Sequence, residues 1–161
     1  MKKIVLAALL LCSFVVSKAQ FEAGTKYVGA SVTNLGLAYN SDKKLHFGLE
    51  ATGGYFLWDD IMLKATLGYQ HNKPHDDNIT VGVGGRYYFQ QNGIFLGAGV
   101  EYCHETKNYN DCRIPVEIGY CFYINHYVSI EPALYYTMSV NDFSDKSTVG
   151  LKVGFGLYFG K

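Results

Sequence analysis

Four glutamates interrupt segments that otherwise consist of apolar and small residues. They are Glu50 in "GLEAT", Glu101 in "GVEYC", Glu117 in "IPVEIGYCF" and Glu131 in "SIEPA". Three basic residues stand in comparable segments: Lys64, Arg86 and Lys152. A buried carboxylate without a partner costs several kcal/mol, whereas groups of opposite charge tolerate burial when each also makes hydrogen bonds. The chemistry that these residue types indicate is therefore charge pairing in an interior.

The segments around these charges alternate between apolar and polar residues with a period of two, which is typical of β-strands with one apolar face. In residues 79–89, Ile79 and Val83 share one face and Arg86 falls on the other. All seven charged residues fall on the face opposite the aliphatic residues. The pattern predicts eight strands: Lys26–Tyr39, Lys44–Phe56, Ile61–Gln70, Ile79–Gln90, Ile94–His104, Arg113–Tyr123, Tyr127–Met138 and Thr148–Phe159. The first strand has two competing phases, one through Val28 and one through Leu35.

The connections between the predicted strands alternate in length. The first, third, fifth and seventh are polar and mostly longer, such as "HNKPHDDN", and the second, fourth and sixth are tight, such as "QNG". An even number of antiparallel strands of about 9–11 residues, with short turns at one end and longer loops at the other, is typical of bacterial outer-membrane barrels. The sequence therefore predicts an all-β protein, an eight-stranded antiparallel up-and-down transmembrane β-barrel whose short turns face the periplasm.

Aromatic residues near both ends of the predicted strands favour a membrane location, because membrane-spanning barrels carry an aromatic girdle at each interface. Near the tight turns these residues are Phe56, Trp58, Phe89, Phe95, Phe122, Tyr127 and Phe159. Near the loops they are Tyr39, Tyr69, Tyr102 and Tyr136. This arrangement predicts two belts around an aliphatic band.

The chain also carries a Glu131-Pro132 pair followed by "ALYY" in the seventh predicted strand, and it ends on the strand "GLKVGFGLYFG". With the eight amphipathic strands, these features resemble the small outer-membrane β-barrel family of OmpX-like and OmpA-like transmembrane domains. The resemblance implies a partner in biogenesis, the barrel-assembly machinery, which reads an aromatic residue near the C-terminus. Phe159 is the candidate for that terminal-strand signal.

An eight-stranded barrel is just wide enough for side chains to fill its interior. The seven charges should therefore point into the lumen and pair there, with tyrosines such as Tyr88, Tyr123 and Tyr158 donating hydrogen bonds to the carboxylates. Four acids face three bases, so one carboxylate is expected to be protonated or to recruit Arg113 or His46. A lumen filled in this way is too narrow for a general porin.

Residues 1–19 have the composition of a secretory signal peptide, which predicts a mature chain from Gln20 onwards. Lys2 and Lys3 precede an apolar run, and small residues stand at Ser17 and Ala19. The whole chain has 14 basic and 14 acidic residues, and three of the basic ones lie in this segment, so the mature chain carries a net charge of −3. That balance gives no basic footprint for nucleic acid.

Cys103 and Cys112 flank the fifth connection and form a candidate disulfide in an oxidising compartment. The alternation places Cys103 inward and Cys112 outward, so a bridge requires a bulge or a break in phase. Cys121 is predicted to be a small buried thiol. Pro115 and Pro132 lack the N–H that a ladder needs and should mark bulges or a seam in the sheet.

The expected role is structural or loop-mediated, in adhesion, envelope integrity or binding of a partner by the loops around Asp76, Lys107 and Asp142. One alternative is a secreted soluble barrel of lipocalin type, with the apolar face turned inward around a ligand. A second is a lipid-modifying outer-membrane enzyme that uses residues near the loops: Ser41, His46, His71, His75, Asp76, Asp77 and His104. No motif fixes a nucleophile or a metal-ligand spacing among them, so we expect no enzyme activity and no cofactor.

Overall fold

The computed structural model describes residues 21–33, 47–72, 76–89, 92–105, 109–140 and 147–160. These residues form nine strands in one sheet: β1 (Lys26–Thr33), β2 (Phe47–Trp58), β3 (Ile61–Asn72), β4 (Asp76–Tyr88), β5 (Ile94–Glu105), β6 (Tyr109–Tyr120), β7 (Phe122–Tyr123), β8 (Val128–Ser139) and β9 (Thr148–Phe159). No helix long and apolar enough to cross a membrane occurs in this part of the chain.

The sheet closes on itself because β1 pairs antiparallel with β2 on one side and with β9 on the other. Lys26 lies opposite both Tyr55 and Phe159. Strands β6 and β7 pair with β8 in one continuous register, with Gly119 opposite Ala133 and Phe122 opposite Ile130. They therefore act as one strand, and the molecule is the all-β, eight-stranded antiparallel barrel that the sequence predicted.

Both prolines of the barrel wall interrupt the ladder, as expected of residues without an N–H. Pro115 pairs with Thr137 on β8, and the β5–β6 pairing is absent on its other side, between the pairs Ala98–Val116 and Glu101–Arg113. Pro132 pairs with Val153 on β9 and faces the break between β6 and β7 on its other side. The register is the same before and after each break, so these are gaps in pairing and not bulges.

The apolar residues of the strands point away from the lumen, as the alternation predicted. Val83, for example, is 63% exposed in the isolated chain, whereas Arg86 on the same strand is buried. In β1 the outward positions include Val28 and Ala30, which decides the phase of the described part of this strand. Leu35, Leu37 and Tyr39, which carry the competing phase, lie outside the described residues.

The aromatic belt near the tight turns was predicted with two wrong members. Phe56 and Phe95 are completely buried inside the barrel, because they share the strand phase of Glu50 and Glu101. The other members at this end are exposed on the outside: Trp58, Phe89, Phe122, Tyr127 and Phe159. At the loop end Tyr69, Tyr102 and Tyr136 are exposed as well, and Tyr39 is not among the described residues.

The tight turns at Asp59–Asp60 and at residues 124–127 lie at one end of the barrel, together with the first described residues. Asp59 and Asp60 connect β2 to β3, and Asp60 adopts a positive φ of 65°. Its amide donates to the carbonyl oxygen of Phe21 at 2.7 Å, and its own carbonyl oxygen accepts from the amide of Tyr88 at 2.8 Å. Burial, together with the charge of Asp59, raises the pKa of the Asp60 carboxyl group.

Candidate functional site

Glu117 lies at the centre of the ion pairs in the barrel interior. Its carboxylate contacts three cations that β3, β4 and β9 present from different sides of the barrel. The ammonium groups lie at 2.6 Å (Lys64) and 2.5 Å (Lys152), and the guanidinium Nη2 lies at 3.0 Å (Arg86). All four side chains are nearly inaccessible to solvent. Three donors on one carboxylate offset much of the cost of burying these charges.

Arg86 connects Glu117 to a second carboxylate, Glu131. Its Nη1 lies 2.7 Å from Glu131 Oε2, and its guanidinium carbon lies 4.0 Å from the centre of the Phe95 ring. Glu131 also accepts hydrogen bonds from three hydroxyl groups: Tyr158 at 2.7 Å, Ser129 at 2.8 Å and Tyr27 at 3.0 Å. Ion pairs, hydrogen bonds and a cation–π contact therefore fix the guanidinium from several directions.

The other two predicted carboxylates lie nearer the loop end. Glu50 pairs with Lys152 at 3.4 Å. Glu101 lines, with Glu50 and Tyr135, a cavity of about 80 Å³ between the ion pairs and the loop end. The described ion pairs thus join six of the seven predicted residues, and Glu101 lies beside them in the cavity wall. Arg113, expected as an extra partner for these acids, pairs with Asp111 at 2.9 Å, and His46 is not among the described residues.

The sequence analysis missed Asp111 and four of the aromatic residues in the interior, Phe21, Tyr27, Phe56 and Phe95. Asp111 is fully buried and accepts a hydrogen bond from Ser139 at 3.0 Å; continuing the alternation of Arg113 two residues backwards places it inward. An aromatic cluster fills the interior at the turn end: Phe21, Tyr27, Phe56, Tyr88, Phe95, Tyr123 and Tyr158. Phe21 precedes the first strand, so no periodic pattern indicated its position.

The candidate disulfide does not form in this structure. Cys103 is buried, Cys112 is exposed, and both are free thiols. The register explains the separation, because Cys103 lies opposite Asp111 and Cys112 lies opposite Tyr102, on the two different faces of the same pair of strands. Cys121 is buried as predicted, with its sulfur 3.5 Å from the hydroxyl group of Tyr158.

The residues considered for enzyme or metal chemistry are only partly described. His104 is exposed on the outer face of β5. Ser41, His46, His75, Lys107 and Asp142 lie outside the described residues, and the side chains of His71, Asp76 and Asp77 are likewise not described. In the described ranges no group of three or more histidine, cysteine or acidic residues is arranged to hold a metal ion.

No protein family and no curated protein matches the sequence, but solved structures match the fold. The N-terminal barrel domain of OprF from Pseudomonas aeruginosa superposes with a TM-score of 0.65 at 15% identity, covering 85% of this chain and 98% of that one. The chain folds as a small outer-membrane β-barrel. Neisserial surface protein A gives a TM-score of 0.63 at 15% identity, covering 84% of this chain and 96% of that one.

A third small outer-membrane barrel, Ail from Yersinia pestis, was solved in a phospholipid bilayer nanodisc. It superposes with a TM-score of 0.58 at 10% identity, covering 84% of this chain and 99% of that one. At sequence identities this low, the superpositions show only that the fold is shared. They carry no information on individual interior residues.

Proposed function

We propose that this small outer-membrane barrel is an integral protein of the bacterial outer membrane that acts through its loops and its wall, not as a pore. The observation that carries the proposal is the contact of Glu117 with three cations, Lys64, Arg86 and Lys152, in the middle of the interior. Side chains held together by charge fill the cross-section that a solute would have to pass.

The outer face supports the membrane environment. A continuous set of apolar side chains is exposed on the wall, including Leu63, Leu67, Val81, Val83 and Val100. Such a patch is far larger than soluble monomers expose, and the charges are inside, which is the reverse of the arrangement in the lipocalin alternative. The lipid bilayer of the outer membrane is thus the first partner that we propose.

The loop end is where we place contact with other molecules. The cavity beside Glu101 opens toward the end of the barrel at which β1, β3, β5 and β8 finish, and the loops of the proposal are the segments that follow these strands in the sequence. The role that follows is adhesion, envelope integrity or binding of a partner through these loops. We also propose the barrel-assembly machinery as a partner in biogenesis, with Phe159 at the end of β9 as part of the signal.

Val83→Lys tests the membrane-facing surface. Val83 lies near the middle of β4 on the outer wall, and a lysine at the midplane of the bilayer should lower the free energy of unfolding by about 2–4 kcal/mol. The matched control is Ile124→Lys, in the tight turn after β7, where the cost should be only about 0–1 kcal/mol. Equal unfolding midpoints for the two variants in lipid vesicles would contradict a membrane-embedded wall.

The closed interior predicts the electrical behaviour of the reconstituted protein. The chain from Gln20, inserted into a planar lipid bilayer, should show no steady open conductance, because the ion pairs of Glu117 obstruct the lumen. Glu117→Gln should show brief channel openings under conditions in which the parent protein shows no current. A stable conductance of the parent protein would argue for a pore and against the proposal.

A further inference from the structure

Residues 21–25, which directly precede β1, fold back into the turn end of the barrel. The ring of Phe21 is only 1% exposed. It stacks on the ring of Tyr88 with 4.0 Å between centroids and meets Tyr158 edge-on at 5.9 Å. In the predicted mature chain from Gln20, Phe21 stands next to the terminus, where residues are usually mobile unless specific contacts fix them. Its buried ring therefore indicates that this segment closes the turn end.

Hydrogen bonds fix the same segment to the end of β2 and to the turn between β2 and β3. The amide of Asp60 donates to the carbonyl oxygen of Phe21, and the amide of Gly24 donates to the carbonyl oxygen of Phe56 at 2.9 Å. The amide of Ala23 donates to the carboxylate oxygen Oδ1 of Asp59, also at 2.9 Å. The segment is thus attached at a few points, without being a member of the strand ladder.

The groups that Phe21 covers are polar. The hydroxyl groups of Tyr88 and Tyr158 lie 3.0 Å apart, and that of Tyr158 donates to Glu131. The sulfur of Cys121 lies beside them, 3.5 Å from the Tyr158 hydroxyl group and 3.8 Å from Glu131. Phe21 packs on the tyrosine rings, so its side chain separates this polar layer from the turn end.

We propose that Phe21–Gly24 is a plug that seals the turn end of the barrel, and that its release admits water to the polar layer around Cys121. The inference rests on the closed barrel of the proposed function but uses contacts separate from the Glu117 ion pairs. Release requires the loss of the ring contacts of one side chain, Phe21, and of a few hydrogen bonds, whereas opening the wall requires separating whole strands.

Reactivity of the buried thiol tests the plug. In the chain from Gln20 carrying Cys103→Ser and Cys112→Ser, Cys121 is the single thiol, and its rate of modification by a small water-soluble methanethiosulfonate reagent reports on access. Phe21→Ala should raise that rate by roughly tenfold or more, because modification follows the population of the open state. Asp59→Ala, which removes the acceptor for Ala23 but no interior side chain, should raise it to a smaller extent.

The control is Phe155→Ala, which removes an aromatic ring from the outer wall, where Phe155 is 53% exposed, and should leave the rate unchanged. The heat-dependent shift in gel mobility verifies that each variant is a folded barrel. If Cys121 is modified at the same rate in the parent, Phe21→Ala and Asp59→Ala, the plug proposal is wrong and the closed barrel of the proposed function is unaffected. A parent thiol that reacts as fast as in the boiled chain would instead overturn the closed barrel of the proposed function.

Discussion

Glu117→Gln should lower the free energy of unfolding of the barrel by about 3–5 kcal/mol, the range measured when one partner of a buried ion pair is removed. Glutamine keeps the shape of the side chain but carries no charge. Lys64, Arg86 and Lys152 would then surround a neutral amide in a largely buried interior. The three cations would also repel one another without the carboxylate charge between them.

The unfolding midpoint of each variant in detergent micelles, monitored by the heat-dependent shift in gel mobility, measures this effect. The matched control is Glu101→Gln, the same change of chemistry in the same lumen, but in the cavity wall and outside the described ion pairs. We expect its effect to be under about 1 kcal/mol. Equal midpoints for Glu117→Gln and Glu101→Gln would contradict the central position of Glu117.

Arg86→Met should have an effect of the same size, about 3–5 kcal/mol. Methionine preserves an unbranched apolar stem against the Phe95 ring but removes the donors to Glu117 and Glu131. Glu131 would retain hydrogen bonds from Tyr27, Ser129 and Tyr158, and Glu117 would retain both lysines. The loss of stability is therefore expected to come mainly from the missing guanidinium group, which links Glu117 to Glu131.

The double variant Glu117→Gln with Arg86→Met measures the interaction between these two side chains separately from their contacts with other residues. Because the two side chains are in direct contact, the combined loss should be smaller than the sum of the single losses. Lys26→Met, which removes a charge from the exposed face of β1, serves as the control and should leave the unfolding midpoint nearly unchanged. If Arg86→Met behaved like Lys26→Met, the interior ion pairs would contribute no net stability.

The errors of the sequence analysis show where a linear pattern loses information. Phe56 and Phe95 were assigned to the outer belt from their distance to the turns, although both share the strand phase of inward glutamates. Trp58 shares that phase too, yet it is exposed outside because the pairing of β2 with β3 shifts between Phe56 and Trp58. A bulge of this kind re-aims a side chain, and the sequence does not reveal it.

The sequence by itself determined the strands, their faces and the inward position of Glu117, Arg86 and the other charges, because alternation with a period of two assigns each side chain to one face. Only the tertiary structure decided which carboxylate meets which cation. Lys64 and Glu117 are 53 positions apart and Lys152 and Glu50 are 102 apart, so their contact depends on the register at which β1 closes on β9. The position of Phe21 in the turn end has the same origin, since its partners come from strands that meet only when the barrel is closed.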